Sequence, residues 1–85
     1  MESIEYKIKD ELGIHARPAG ILVNNAKKFD CGITMYSGEK HADCKGIFGI
    51  MGLCVKCGDT IKMEFSGSDE NSAKQFFENF LENNL

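Results

Sequence analysis

The residues best suited to chemistry stand together in one stretch, Gly13-Ile14-His15-Ala16-Arg17-Pro18-Ala19-Gly20. A histidine directly precedes a predicted helix start, an arginine follows two residues later, and a proline occupies the first turn. Proline is tolerated there because the first amides of a helix have no partner inside the helix. Those amides and the positive end of the helix dipole form an anion site. The stretch therefore predicts a phosphoryl group carried on a nitrogen of His15, stabilised by the amides of Ala16 and Arg17 and by the Arg17 guanidinium.

Histidine suits such a role because free imidazole, with a pKa of about 6.5, is largely uncharged near neutral pH. In phosphoryl transfer the protein mainly positions groups and stabilises charge, so His15 and Arg17 could suffice as the reacting pair. The alternative is that His15 is an ordinary surface histidine, which the surrounding Gly13, Arg17 and Pro18 disfavour. The second histidine, His41, lies on a predicted strand and is interpreted as an exposed polar residue.

The composition predicts one small globular domain over residues 1–85. Apolar residues make up 42% of the chain and charged residues 27%, and the net charge of −3 argues against nucleic acid as a partner. The apolar runs are too short to span a membrane, and Met1-Glu2-Ser3 does not resemble the start of a signal peptide. We therefore expect a cytoplasmic protein without direct membrane insertion.

Alternating apolar and polar residues predict four strands, and apolar residues at helical spacing predict three helices. The strands are expected at 3–9, 32–36, 40–44 and 60–66, and the helices at 16–29, at 47–53 and beyond Gly67-Ser68-Asp69, which would cap the last one. This last helix has one apolar stripe that should cover a sheet, formed by Ala73, Phe76, Phe77, Phe80 and Leu81. The order βαββαβα indicates an α+β open-faced sandwich with its helices on one face.

Two surfaces are candidates for docking a partner. On the first helix, Gly20, Asn24 and Lys27 continue the line of His15 and Arg17 along the exposed face. The segment 47–53 is too short to bury all of its large apolar side chains, so part of its surface should be exposed. Its predicted docking residues are Ile47, Phe48 and Met51.

Four cysteines leave several interpretations open. Because no secretory signal is recognisable, free thiols are favoured over a disulfide scaffold. Cys54 and Cys57 have C-x-x-C spacing but follow a helical segment, whereas a reactive pair normally opens one. A zinc site would need four ligands, which could include His41. Structural or incidental cysteines are the preferred interpretation, and no metal site or cofactor is predicted.

The stretch Gly13–Ala19 resembles the phosphorylation site of the histidine-containing phosphocarrier protein (HPr) family of bacterial sugar phosphotransferase systems. Lys45–Leu53 is similar to the second short helix of that family, at matching spacing. The resemblance implies a four-stranded antiparallel sheet in the order 1-4-2-3. It also implies that enzyme I charges His15 from phosphoenolpyruvate and that enzyme IIA domains of sugar permeases accept the group. The protein would then be a monomeric phosphotransfer intermediate rather than a turnover enzyme.

The chain departs from this family at two positions of functional interest. Gly46 stands where many members carry a serine that a regulatory kinase phosphorylates, so that switch cannot operate here. Leu12 replaces a commonly polar residue of the active-site loop. These departures leave a second hypothesis, a regulatory paralogue that acts as a phosphorylation-dependent binding module. A cysteine-based metal or redox protein on the same scaffold is the third.

Overall fold

The computed structural model describes residues 1–85 and has the predicted order of elements. The strands are β1 (Glu2–Lys7), β2 (Gly32–Ser37), β3 (Lys40–Asp43) and β4 (Thr60–Ser66), and the helices are α1 (Ala16–Ala26), α2 (Ile47–Gly52) and α3 (Glu70–Asn84). The strands form one antiparallel sheet in the order β1-β4-β2-β3, which confirms the open-faced sandwich. None of the helices combines the length and the apolar sequence that crossing a membrane requires.

One face of the sheet is apolar because side chains alternate along each strand. Met63, on the inner strand β4, lies opposite Ile4 of β1 and Met35 of β2, and both methionines are fully buried. Lys62 and Glu64 point to the other face, where they form an ion pair with 3.4 Å between Nζ and Oε2. The helix α3 packs on β1 and β4, and α2 packs between α1 and β3. The helices and the buried side chains of the sheet thus enclose one continuous core.

The first helix ends earlier than its apolar period predicted. It stops at Ala26, and the amides of Lys28 and Phe29 then donate to carbonyls only three residues back. This tighter winding is common at a helix end. Phe29 therefore lies beyond the helix, where it remains half-buried against the core, and its carbonyl accepts a hydrogen bond from Lys45 Nζ at 2.8 Å.

Two predictions about the last helix are wrong in part. Phe76 belongs to the apolar stripe by spacing, but 38% of it is exposed, because the stripe is wider than the face that meets the sheet. Its ring packs at the edge of an aromatic cluster, 5.1 Å from the ring of Phe77 and 5.8 Å from that of Phe29. Asp69 occupies the N-cap position, but its carboxylate makes no capping hydrogen bond to the helix.

The Asp69 carboxylate instead joins the start of β2 to the start of α3. It accepts hydrogen bonds from the amides of Asp30 and Cys31, each at 2.8 Å. These bonds lower the pKa of Asp69 below its ordinary value of 3.8, the Asp30 amide being the largest cause. Gly67 permits this junction, since a Cβ on Gly67 would lie 2.6 Å from the Cα of Cys31.

We expect Asp69→Ala to lower the free energy of unfolding at neutral pH, because two main-chain amides lose their acceptor. A carboxyl whose pKa is lowered by folding stabilises the protein above its ordinary pKa, and this contribution fades as the pH falls through the lower value of the folded state. The difference from the unsubstituted protein should therefore shrink as the pH falls below 3.8. Urea unfolding at several pH values measures it. Asp43→Ala is the control, since the Asp43 carboxylate accepts a hydrogen bond only from the nearby amide of Lys45.

Candidate functional site

The loop between β1 and α1 is fixed by its own main chain. The amide of Asp10 donates to the main-chain oxygen of Leu85 at 2.8 Å, which joins the loop to the end of α3. The Asp10 carboxylate accepts a hydrogen bond from the amide of Leu12 at 2.9 Å, and the Asp10 carbonyl accepts one from the amide of Gly13 at 2.9 Å. These bonds define the turn that leads to His15.

The end of the loop packs against the segment that precedes β4. Gly13 has a φ of +67°, and a Cβ there would lie 2.3 Å from the carbonyl oxygen of Val55. The next amide, that of Ile14, donates to the same oxygen at 3.1 Å, and the Ile14 side chain is buried. Only glycine permits this close approach, and His15 is thereby placed directly after two anchored residues.

His15 stands at the N-terminus of α1 with free amides beside it. It is the N-cap residue, its backbone is extended, and its side chain makes no capping hydrogen bond. The first hydrogen bond of the helix runs from the amide of Ala19 to the carbonyl of His15 at 3.0 Å. The amides of Ala16 and Arg17 have no protein partner, and Pro18 has no N–H. Two donors are thus available for an anion at the ring of His15.

His15 and Arg17 line one open pocket of about 170 Å³. Arg17 is exposed, and its guanidinium forms neither an ion pair nor a hydrogen bond with another side chain. The other residues of the pocket were not predicted, and they are Asp10, Pro18, Ile21 and Asn84. Ile21 could have been found, since it is an apolar residue four positions after Arg17 on the polar face of the helix. Asn84 could not, because only the tertiary fold brings it there.

The exposed face of α1 runs from this pocket along the predicted docking residues. Asn24 and Lys27 are exposed and Gly20 is half-buried. Ile21 lies on the same side and is 40% exposed, which adds an apolar contact to a surface predicted to be polar.

The short helix α2 exposes part of its apolar surface, as its length predicted. Phe48 is 89% exposed and Met51 is 37% exposed, whereas Ile50 and Leu53 are buried. Ile47 is intermediate and packs against the core. Since α2 contacts α1, we define the docking patch as the exposed face of α1 at Gly20, Asn24 and Lys27 together with the exposed side of α2.

The four cysteines do not form a common site. Cys31 and Cys44 are buried, Cys54 and Cys57 are exposed, and all four thiols are free. Burial raises the pKa of the Cys31 thiol to about 11, with a further contribution from Asp69, and burial also raises the pKa of Cys44. No three side chains of His, Cys, Asp or Glu lie in an arrangement that could hold a metal ion.

Comparisons with known proteins show which family and which solved structures this chain resembles. Residues 2–83 match the family model described as the PTS HPr component phosphorylation site. The phosphocarrier protein HPr of Lysinibacillus sphaericus is 41% identical over 73 residues, covering 86% of this chain and 83% of that protein. The solved structure of a Mycoplasma histidine-containing phosphocarrier protein has a TM-score of 0.91 at 33% identity and covers 93% of this chain and 90% of that one. An HPr dimer from Thermoanaerobacter tengcongensis has a TM-score of 0.77 at 35% identity, over 98% and 95% of the two chains.

Proposed function

The chain belongs to the HPr family of the phosphotransferase system (PTS), and from this premise we propose that it carries a phosphoryl group on His15. The group comes from phosphoenolpyruvate through phosphorylated enzyme I, and enzyme IIA domains of sugar permeases accept it. The protein acts in the cytoplasm as a monomer and as an intermediate in the transfer, not as an enzyme with its own turnover.

One observation carries this proposal. His15 is the N-cap residue of α1, the two amides that follow it have no protein partner, and it lines one pocket with Arg17, whose guanidinium is unpaired. A phosphoryl group carries about two negative charges near neutral pH, and bonds from charged or main-chain donors to such a group contribute about 1.5–3 kcal/mol each. Ala16 and Arg17 thus supply the stabilisation that a covalently bound phosphoryl group needs.

The transfer requires little of the protein beyond placement. An imidazole nitrogen of His15 attacks phosphorus with its lone pair, the P–N bond forms, and the bond from phosphorus to the donor atom of enzyme I breaks. The donor keeps that electron pair. Delivery to the acceptor breaks the P–N bond and leaves its electron pair on His15, so the carrier must hold the group only moderately tightly.

The location of the docking patch supports transfer between proteins. A donor enzyme that covers the His15 pocket would meet the exposed face of α1 and the exposed side of α2 at the same time. An exposed aromatic residue such as Phe48 is typical of a residue that anchors an interface. The two surfaces therefore serve as one binding site for enzyme I and for enzyme IIA domains.

The decisive experiment is incubation with enzyme I and radiolabelled phosphoenolpyruvate, followed by addition of enzyme IIA domains. We expect the protein to become labelled and to pass the label on. Absence of label contradicts the carrier function. If the protein becomes labelled but no enzyme IIA domain accepts the label, the result supports the regulatory binding module instead. A measurement of the molecular mass in solution tests whether the protein is a monomer.

We expect Phe48→Ala to weaken the affinity for enzyme I by about 1–3 kcal/mol, because the ring is exposed in the free protein and would be buried on binding. Its effect on unfolding should be within about 0.5 kcal/mol. Titration calorimetry and urea unfolding measure the two quantities. Phe76→Ala is the matched control, since Phe76 packs on three phenylalanine rings and lies outside the docking patch. That control should lose stability and keep its affinity, and an equal loss of stability in Phe48→Ala would show that Phe48 belongs to the core.

A further inference from the structure

One acidic residue, Asp10, lines the pocket together with His15 and Arg17. Its position is set by main-chain bonds on both sides. The Asp10 amide donates to Leu85 at 2.8 Å, and one carboxylate oxygen accepts the amide of Leu12 at 2.9 Å. These bonds hold the Asp10 carboxylate within the turn that leads to His15.

The negative charge of Asp10 has no partner that would neutralise it. The three ion pairs of the protein lie elsewhere, and none includes Asp10 or Arg17. When His15 is unphosphorylated, the pocket holds one positive and one negative side chain. Phosphorylation adds about two negative charges to this small space, so Asp10 then repels the group that Arg17 and the two free amides attract.

We propose that Asp10 tunes the transfer potential of phosphorylated His15 by destabilising the bound phosphoryl group. This inference rests on the proposed carrier function. A site with only attractive groups would hold its phosphoryl group too tightly to pass it on. Asp10 opposes that attraction, and it also positions the turn before His15.

The repulsion by Asp10 should also change the rate at which phosphorylated His15 is hydrolysed. Water attacks phosphorus, a P–O bond forms, the P–N bond breaks with its electron pair left on the imidazole, and the water proton passes to the solvent. The transition state is loose, so negative charge on the phosphoryl oxygens falls as the P–N bond breaks. Asp10 therefore destabilises the phosphorylated ground state more than the transition state, and it shortens the lifetime of the phosphorylated protein.

The test is Asp10→Asn, which removes the charge and retains an oxygen for the Leu12 amide. We expect the equilibrium between phosphorylated enzyme I and this protein to shift toward phosphorylated His15 by about threefold to tenfold, the size of a screened interaction across a surface pocket. The shift should shrink at high salt because the pocket is open to solvent. Asp43→Asn is the matched control, since Asp43 makes the same local bond, to the amide of Lys45 at 2.9 Å, outside this pocket.

A second measurement separates this inference from the identity of the donor. Potassium phosphoramidate phosphorylates imidazole without an enzyme, and in a His41→Ala background only His15 can react. We expect phosphorus NMR to show slower loss of the phosphoryl group in Asp10→Asn than in the parent. If enzyme I fails to label the protein but this difference appears, the carrier function is wrong, whereas the destabilisation of phosphorylated His15 by Asp10 is confirmed. If Asp10→Asn folds but changes neither the lifetime of the phosphorylated protein nor the equilibrium with enzyme I, the inference is overturned. If Asp10→Asn does not fold, the parent protein provides the test. A lifetime of the phosphorylated parent that does not vary with salt then overturns the inference.

Discussion

Replacing His15 with alanine should abolish phosphorylation by enzyme I and leave the fold almost unchanged. The loss should be complete because His15 is the only histidine that lines the pocket, whatever Arg17 and the free amides contribute. Stability should change by no more than about 0.5 kcal/mol, since the His15 side chain is only half-buried and makes no capping hydrogen bond. Radiolabelling and thermal unfolding of the same preparation measure both effects.

His41 is the internal control for this experiment because it is the second histidine of the chain. It is exposed on β3, as predicted, and its ring lies 5.8 Å from that of Tyr36 on the polar face of the sheet. That face is opposite to the helices, so His41→Ala should be labelled like the unsubstituted protein. Label remaining on His15→Ala and absent from His41→Ala would reverse the assignment.

Most of the fold could be predicted from the sequence because apolar residues recur at regular spacing in its strands and helices. The strand at 60–66 was predicted to the residue, since Ile61, Met63 and Phe65 alternate with exposed positions and are all buried. The order of the strands was not a consequence of that pattern. Alternation states which face of a strand is buried and not which strand lies beside it, so the order β1-β4-β2-β3 came from the family resemblance.

The wrong predictions share one physical origin. Spacing along a helix places Phe76 in the apolar stripe, but the width of the face that meets the sheet is decided by tertiary packing. The position of Asp69 at a helix start predicts a cap, but its carboxylate is taken by two amides 38 and 39 residues earlier in the chain. A local rule fails where a distant segment offers a better partner.

The candidate site also combines residues that the sequence predicts with residues that only the tertiary fold brings together. Residues 13–20 are contiguous, so the motif placed His15, Arg17 and the free amides in one prediction. Asp10 and Asn84 enter the pocket from the preceding loop and from the end of α3. Neither belongs to the motif, and a loop position carries no periodicity that would indicate its direction. The tertiary fold therefore adds the negative charge of the pocket, which the motif could not reveal.

The close packing of the active-site loop leads to the second large effect, that of Gly13→Ala. The new Cβ would lie 2.3 Å from the carbonyl oxygen of Val55 and 2.7 Å from the Cα of Lys56, both of which are main-chain atoms that cannot rotate away. The loop must move, and the hydrogen bond from Ile14 to Val55 is strained or lost. The left-handed backbone conformation of Gly13 is also unfavourable for alanine. Because both effects destabilise the folded state, we expect a loss of about 2–4 kcal/mol in the free energy of unfolding.

The same displacement should slow phosphorylation, because the loop that moves leads directly into His15 and the two free amides. Gly38→Ala separates the two causes of instability. Gly38 has a similar φ of +61°, but nothing lies within 4 Å of its added Cβ, so that variant should lose only about 1 kcal/mol and keep the labelling rate. Urea unfolding and initial labelling rates compare the two variants. Equal losses in both would mean that backbone conformation alone requires glycine at position 13, and that contact with Val55 does not hold His15 in place.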